Sequence, residues 1–179
     1  MKTTQILIAG FGGQGILFSG KFLAYKGLLE DIQVSWLPSY GPEMRGGTAN
    51  CNVILSDTQV GSPIITVPDV LIAMNLPSLQ KYVNTVAAGG QIYIDSSLID
   101  AKVDRDDVEV FYIPATQMAK EEGIATLANM IIVGHLLENH PELSFEGVET
   151  VVEKLVPPKK AALKELNMKA LQLGKSYNK

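Results

Sequence analysis

The chain has 179 residues, 46% of them apolar and 19% charged, which is enough to bury a sizeable core and excludes wholesale disorder. Fifteen basic residues against nineteen acidic ones give a formal net charge of −4, without the basic face a general nucleic-acid binder needs. A single cysteine excludes an intramolecular disulfide and a self-contained four-thiolate iron–sulfur cluster, and with two histidines it nearly excludes a Cys/His zinc site.

The length predicts one domain over residues 1–179. The most apolar run, Met130 to Leu137, is interrupted by Gly134 and His135, so no membrane span is expected. The apolar stretch after the first residues meets glycine too early for a signal peptide. Together with the lone thiol, this predicts a soluble, cytoplasmic chain.

Ile6-Leu7-Ile8-Ala9 reads as a strand buried on both faces and ends at glycine. Ile16, Leu17, Gly20, Leu23, Ala24 and Leu28 then recur at helical spacing, and Gly27 weakens the last turn. Gln33 to Leu37 is a second strand, followed by a turn-rich stretch. From Ala49 to Leu55 the sequence alternates like a strand with one polar face. Residues Ser56 to Pro68, with two prolines and a glycine, predict a hairpin or an irregular excursion.

Val70 to Met74 is another buried strand. Asn75 is placed to cap a helix from Leu76 to Ala88, with Pro77 in its first turn. Gln91 to Asp95 and Val108 to Ile113 complete the strands. Helices are expected at Thr116 to Glu122, Ala125 to Asn139, Phe145 to Val156 and Lys159 to Leu173, the last break forced by Pro157-Pro158. Short buried strands alternating with helices predict an α/β fold, a three-layer α/β/α arrangement with a mostly parallel sheet.

Gly10-Phe11-Gly12-Gly13-Gln14-Gly15 fits G-x-G-x-x-G between a strand and a helix. Gly10, Gly12, Gly13 and Gly15 would let backbone approach an anion, and the free N–H groups of the following helix would favour phosphate. A dinucleotide site also needs an acidic residue at the end of the second strand. Here Ser35-Trp36-Leu37-Pro38-Ser39 supplies none, and Glu30 and Asp31 precede the strand. The bland reading is a tight turn whose glycines merely permit close packing.

A second block, Ser39-Tyr40-Gly41-Pro42-Glu43-Met44-Arg45-Gly46-Gly47-Thr48, leaves the carboxyl end of the second strand. Both loops are therefore expected on one sheet edge, where open α/β sheets bind ligands. Nine of the sixteen glycines fall in the first 47 residues, which concentrates backbone exposure at that edge. Arg45 offers a bidentate fork for carboxylate or phosphate, or else pairs locally with Glu43 and pins a turn.

Gly-Gly-Gln-Gly-Ile at 12–16 and Ser-Tyr-Gly-Pro-Glu-Met-Arg-Gly-Gly-Thr at 39–48 together resemble the gamma subunit of 2-oxoacid:ferredoxin oxidoreductases. The likeness continues through Ile54-Leu55-Ser56-Asp57, Gly61-Ser62-Pro63, Pro68 to Ala73, Asn129-Met130, Asn167, Ala170 and Gly174. The resemblance implies a Rossmann-like domain in a multi-subunit enzyme that converts a 2-oxoacid into an acyl-coenzyme A and reduces ferredoxin. Partners would be alpha and beta subunits with thiamine diphosphate and a ferredoxin-like delta subunit with iron–sulfur clusters. The chain itself would be inactive alone. It has no Gly-Asp-Gly run to begin a thiamine-diphosphate site and too few thiols for a cluster.

In this reading Gly10, Gly12, Gly13, Gln14 and Gly15 hold the phosphate end of coenzyme A as a shared ligand. Ser39, Tyr40, Gly41, Glu43, Arg45, Gly46 and Gly47 form the active-site rim or a subunit interface. Catalytic and metal residues are expected to be absent. Pyruvate, 2-oxoglutarate, branched-chain and aryl oxoacids are distinguished mainly on other subunits, with a lean toward 2-oxoglutarate or branched-chain acids for a separate short chain. Two rival functions are a free-standing NAD(P)-dependent reductase and a small nucleotide-binding regulatory module.

Among the smaller candidates, Cys51 alternates with Ala49 and Val53 and reads as a buried thiol. His135 reads as a packing histidine on an apolar helix. His140, before Pro141, is placed where a cation suits a helix end. Lys159, Lys160, Lys164, Lys169 and Lys175 read as a solvated face. Arg105 is expected in an exposed acidic turn.

Overall fold

A computed structural model of the chain describes residues 3–39 and 48–178. Six strands form one sheet in the order β2-β3-β1-β4-β5-β6. They are β1 (Thr4–Phe11), β2 (Gln33–Ser39), β3 (Thr48–Ser56), β4 (Val70–Ala73), β5 (Gln91–Asp95) and β6 (Glu109–Ile113). The helices are α1 (Ile16–Leu29), α2 (Leu76–Tyr82), α3 (Ala115–Glu121), α4 (Ala128–Asn139), α5 (Val148–Leu155) and α6 (Ala161–Lys175). Short 3₁₀ turns extend α2 and precede α4 and α6.

The expected α/β architecture is present, with one refinement. Strand β3 is inserted between β1 and β2 and runs antiparallel to both, while β1, β4, β5 and β6 pair in parallel. Five strands thus share one direction, and the sheet is mixed. Alternation along β3 revealed a strand but could not reveal its partner or direction.

Side chains divide cleanly between the two faces, as the pleat requires. Ile6, Ile8, Val70, Ile72, Tyr93 and Ile113 join the larger core. Leu7, Leu71, Ala73, Ile92 and Ile94 enter the smaller one. Residues of α1, α3, α4, α5 and α6 pack into the larger core, whereas Leu79 of α2 with Val86 and Ile99 closes the smaller one. The layers are three but unequal.

Helix α1 packs closely on β3. A Cβ at Gly20 would collide with the Cys51 Sγ, so the helix and strand approach closer there than any larger residue allows. Cys51 is fully buried, as expected, and accepts a hydrogen bond from Trp36 Nε1 at 2.9 Å. Burial pushes its thiol up to about 12, against the opposing Trp36 hydrogen bond. That is an inert thiol.

Helices α4 and α6 cross through a pair of glycines. A Cβ on Gly134 would strike the Leu171 carbonyl, and one on Gly174 would strike the Ile131 carbonyl. Beneath the crossing, His135 stacks edge-on to Phe111 and Tyr177, and its Nδ1 lies 3.0 Å from the Gly174 carbonyl oxygen. A carbonyl only accepts, so Nδ1 carries the proton. The packing role expected for His135 is what the structure contains.

Several expectations need correction. Helix α2 ends at Tyr82, not Ala88, although Asn75 does cap it, Oδ1 accepting from Ser78 N at 2.8 Å. Residues 57–69 contain no strand and run irregularly from β3 to β4; on the way the Pro63 carbonyl accepts from Asn52 Nδ2 at 3.5 Å. Arg105 is no free turn residue. It pairs with Asp107 and donates from Nη1 to the carbonyls of Val83 (2.8 Å) and Val86 (2.9 Å), closing the chain after α2.

His140 is not a cation on a helix end. Its Nδ1 accepts from Glu142 N at 3.2 Å, and burial lowers its pKa, so the ring is neutral. Lys26, unnoticed in the sequence, is buried. Its ammonium pairs with Glu30 and donates to the Glu146 carbonyl at 2.9 Å, linking α1 to the turn before α5.

Candidate functional site

The connections β1–α1–β2 and β4–α2–β5 leave the sheet on opposite faces. The carboxyl ends of β1 and β4 therefore flank a topological switch point, where open α/β sheets form a crevice. The glycine loop lies on one side of it.

Strand β1 ends at Phe11, the turn Gly12–Gly15 follows, and α1 begins at Ile16. Gly13 has φ +92° and Gly15 φ +76°, a left-handed conformation that costs an L side chain about 1–2 kcal/mol. Gly15 is the N-cap of α1, and no side chain caps the helix. The first-turn amides point outward with the positive end of the helix dipole behind them.

The five loop residues divide their work. Gly10 is held by contact, since a Cβ there would lie 2.6 to 2.8 Å from Gln14, Ile16 and Met74. Gln14 closes the turn. Its Oε1 accepts from Phe11 N at 2.6 Å and its Nε2 donates to the Met74 carbonyl at 2.8 Å, tying the loop to the end of β4. The Gln14 amide, expected to face a phosphate, is thus occupied within the protein. Gly15 is clamped from α4: Asn129 Nδ2 donates to the Gly15 carbonyl (3.1 Å) and to Ser19 Oγ (2.9 Å). Around Gly13 no described residue lies within 4 Å of a would-be Cβ.

Gly12 and Gly13 border a pocket of about 280 Å³ with Phe11, Leu17, Phe18 and Ala49 in its walls. None of the described residues lining it carries a titratable group. Its backbone amides can bind an anion.

Across the crevice, Asn75 and Ser78 are buried at the end of β4, and Asn75 Nδ2 and Ser78 Oγ have no partner among the described residues. The sequence marks Asn75 as a cap and gives no separate sign of Ser78. A capping Asn immediately after a buried strand was the available signal.

Strand β2 runs parallel in direction to β1, so both end at the same edge, as expected of the two loops. Ser39 is exposed at the end of β2, and β3 begins at Thr48 opposite Phe11. Tyr40, Gly41, Glu43, Arg45, Gly46 and Gly47 lie outside the described residues.

The inserted β3 also bears on nicotinamide binding. In a dinucleotide fold the second strand adjoins the first, which brings its terminal carboxylate to the ribose. Here β3 separates them by two strand spacings, about 10 Å. Trp36, Leu37, Pro38 and Ser39 then end the strand without a carboxylate.

Residues 5–177 match the family model described as pyruvate ferredoxin/flavodoxin oxidoreductase. The chain belongs to that family. As a family member it is 35% identical to the 2-oxoglutarate synthase subunit KorC of Methanothermobacter marburgensis, over 96% of this chain and 94% of that protein. It is 43% identical over 133 residues to the ketoisovalerate oxidoreductase subunit VorA of Methanothermobacter thermautotrophicus, a match covering 74% of this chain. The chain spans 28% of the length of that relative.

Among solved structures, this family member superposes with a TM-score of 0.80 and 31% identity on the gamma subunit of a keto/oxoacid ferredoxin oxidoreductase from Geobacter sulfurreducens, covering 96% and 95% of the two chains. With a TM-score of 0.87 and 26% identity, 98% of it overlays 31% of a chain of 2-oxoglutarate:ferredoxin oxidoreductase from Magnetococcus marinus. That enzyme was solved with 2-oxoglutarate, coenzyme A and succinyl-CoA bound. The fold expected from the resemblance is the fold of the family's gamma subunits. Among the described residues, no helix is long and apolar enough to cross a membrane.

Proposed function

We propose that the chain, as one gamma-type domain over residues 1–179, serves a cytoplasmic 2-oxoacid:ferredoxin oxidoreductase by closing its active site and holding coenzyme A. The observation that carries this reading is the match, over nearly the whole of both chains, to a gamma subunit, joined to an uncapped helix N-terminus beside a pocket that no titratable group lines among the described residues. The chain is built to bind, and the chemistry belongs to partners. Its one thiol is buried and protonated, so it offers nothing to an iron–sulfur cluster. Thiamine diphosphate would lie on the alpha and beta subunits and supply the carbanion stabilisation. Clusters on a ferredoxin-like delta subunit would carry electrons to ferredoxin.

This chain's contribution is positional. Backbone amides of residues 12 and 13 and of the first turn of α1 receive phosphate oxygens, favoured by the helix dipole. The Gln14 links to Phe11 and Met74 keep the turn from moving when charge arrives. Phe11 and Phe18 keep water from the pocket, which strengthens each hydrogen bond to the anion. The block from Ser39 to Gly47 forms the rim, and Arg45 presents its fork to a carboxylate or phosphate of ligand or partner.

The test uses the enzyme reconstituted with its partner subunits. Gly13→Val should raise the Michaelis constant for coenzyme A and leave that for the 2-oxoacid unchanged. An unaltered coenzyme A constant would reduce the loop to a packing device. Arg45→Ala and Arg45→Lys should lower turnover without lowering the melting temperature of the isolated chain; the reverse pattern would make Arg45 a local structural residue. Assaying 2-oxoglutarate, branched-chain oxoacids and pyruvate side by side identifies the substrate. Reduction of nicotinamide by the chain alone would overturn the assignment.

A further inference from the structure

The two edges of the sheet are finished differently. Strand β6 begins with the charged Glu109, and the Tyr177 hydroxyl donates to the Tyr112 carbonyl at 3.5 Å, so the end of the chain lies over that edge. Strand β2, Gln33–Ser39, is seven residues long and carries no charge. Among the described residues only β3 pairs with it. A long uncharged edge invites another strand, and proteins ordinarily blunt one with lysine, proline or a bulge.

The ladder fixes which groups of β2 face outward. On β1 the carbonyls of Gln5 and Ala9 accept from Asp69 N (2.9 Å) and Met74 N (2.8 Å) on the β4 side, so Ile6 and Ile8 turn their backbone to β3. Their partners Val53 and Cys51 therefore face β1, and Asn50, Asn52 and Ile54 face β2. By the same alternation Ser35, Leu37 and Ser39 bond to β3, while Val34, Trp36 and Pro38 turn outward. Proline has no N–H to lose at that position, which is where an edge strand tolerates it. The open groups are the N–H and C=O of Val34 and Trp36 and the C=O of Pro38.

Helix α1 continues this surface. Its Gly20 and Gly27 lie against Cys51, Trp36 and Val34 of the sheet, and its Ser19 and Lys26 face α4 and the turn before α5. At about 3.6 residues per turn, the remaining flank overhangs the β2 edge with Leu17, Lys21 and Leu28, and with Tyr25 above them. Leu28 is 57% exposed and Tyr25 37%, and Lys21 is the one exposed charge in the helix, since Lys26 is buried. A helix apolar on nearly every side is a helix covered on every side.

We propose that this edge is an interface between two copies of the chain, paired strand to strand about a two-fold axis at Ser35. Antiparallel pairing of β2 with itself in that register sets Val34 opposite Trp36 of the second copy. The N–H of each then donates to the carbonyl of the other on both sides of the axis, and Pro38 falls beyond the last bond. Centring the pair on Trp36 would set Val34 against Pro38 and leave the Val34 carbonyl without a donor. Pairs of a β-branched and an aromatic residue, here Val34 with Trp36, favour the association.

The helices fit the same axis. Gly20 lies beside Trp36 and Gly27 beside Val34, so α1 runs opposite to β2. The axis therefore brings Leu17 level with Leu28 of the second copy, and Lys21 level with Tyr25 of the second copy. The exposed cation meets an aromatic face and not its own like charge. Tyr25, Leu28, Trp36 and Leu37 leave roughly 350 Å² of side-chain surface outside on each copy. That is the greater part of the apolar share of an interface burying about 800 Å² per partner. The pairing is independent of how the glycine loop is used.

Sedimentation of the full chain over a range of concentrations tests it. The chain should run as a dimer, and a monomer at concentrations up to about 100 μM overturns the interface. Ser35→Lys sets two like charges opposite each other on the edge, and Leu28→Glu puts a carboxylate into the apolar flank. Each should raise the dimer dissociation constant about tenfold or more, with the circular dichroism spectrum unchanged. A dimer indifferent to both changes overturns the inference.

Cross-linking reads the register. Ser35 stands opposite its own copy in a non-hydrogen-bonded pair, with Cα atoms about 4.5 Å apart, within reach of a disulfide. Ser35→Cys should therefore link two chains under mild oxidation, and the buried Cys51 takes no part. Gln33→Cys, roughly 13 Å from its own copy, should not link. Equal linking of the two variants overturns the proposed pairing. In the enzyme reconstituted with its partner subunits the Ser35→Cys link should persist. Loss of the link there, with β2 still protected from hydrogen exchange, would mean that another subunit covers this edge and would overturn a copy-to-copy interface.

Discussion

Helix α1 and the turn before it use glycine for opposite purposes. In its middle, Gly20 exists because Cys51 of β3 occupies the space a side chain would need. Just before its start, Gly13 has no described residue where its Cβ would be and is required by its backbone angle of +92°. The first kind of glycine is a packing device, and its replacement is opposed by the core. The second leaves backbone open to a ligand, and its replacement strains one turn while the core stays intact. A glycine-rich segment is therefore no evidence of binding until each glycine is asked what stands where its Cβ would be.

The largest effects should come from glycines of the packing kind. At the α4–α6 crossing, Gly174→Ala would push a methyl group into the Ile131 carbonyl, which belongs to backbone and cannot swing aside. A loss of about 3 kcal/mol or more is expected in denaturant unfolding of the isolated chain. A loss below 0.5 kcal/mol would mean that the helices part easily, and the contrast with Gly13 would collapse. Next comes Gly20→Ala, whose methyl group meets the Cys51 side chain. That contact can relax a little, so the cost should be about 1–3 kcal/mol. If the strand yields, Cys51 becomes accessible, and faster thiol labelling of the variant under native conditions is the accompanying sign.

Gly13 should behave differently. Gly13→Ala meets no described residue, so its cost is the left-handed backbone alone, about 1–2 kcal/mol. Its larger consequence should appear in the Michaelis constant for coenzyme A in the complex. Equal losses of stability and affinity along the series Ala, Ser, Val at this position would mean that the turn fails as a structure. A rising constant with near-constant stability separates the ligand effect from the strain.

The same division explains what the sequence could and could not convey. Strands β1, β4 and β5 were legible because continuous apolar runs have few other uses. The glycine turn was legible because strand, glycines and helix followed in order. The antiparallel insertion of β3 was not, since an alternating pattern has the same period in either direction. Nor was the burial of Lys26 or the anchoring of Arg105, whose partners Glu146, Val83 and Val86 arrive from elsewhere in the chain. At the candidate site, Gly10 and Gly13 look alike in sequence but differ in structure: Gln14, Ile16 and Met74 crowd the former, and a left-handed backbone requires the latter. Asn129 and Asn167 were visible as members of a family pattern. The clamp of Asn129 on Gly15 depends on α4 meeting the loop, which no local spacing encodes.

The smallest expected effect concerns pH, and it too separates the two regions. Among the described residues no titratable side chain lines the front pocket, so the histidine contribution to stability between pH 5 and 7 should come from the packed side. His135 sits there with its pKa lowered, chiefly by burial, while the Gly174 carbonyl and Glu138 oppose the shift only partly. A histidine whose folded pKa lies below the unfolded value of 6.5 binds protons more readily in the unfolded chain. Its contribution is therefore present above that value and is lost as pH falls through the folded pKa. One such group changes stability by at most about 1.4 kcal/mol per pH unit. His140, also lowered, adds a second slope of the same sign. His135→Gln keeps a donor for the Gly174 carbonyl and removes the charge that forms in acid. Its unfolding free energy should fall less steeply below pH 6.5 than that of the parent chain, at the expense of lower stability at neutral pH. His140→Asn should remove the other part of the slope without disturbing the α4–α6 crossing. Were the double variant to retain the full acid slope, the two histidines would not be its source.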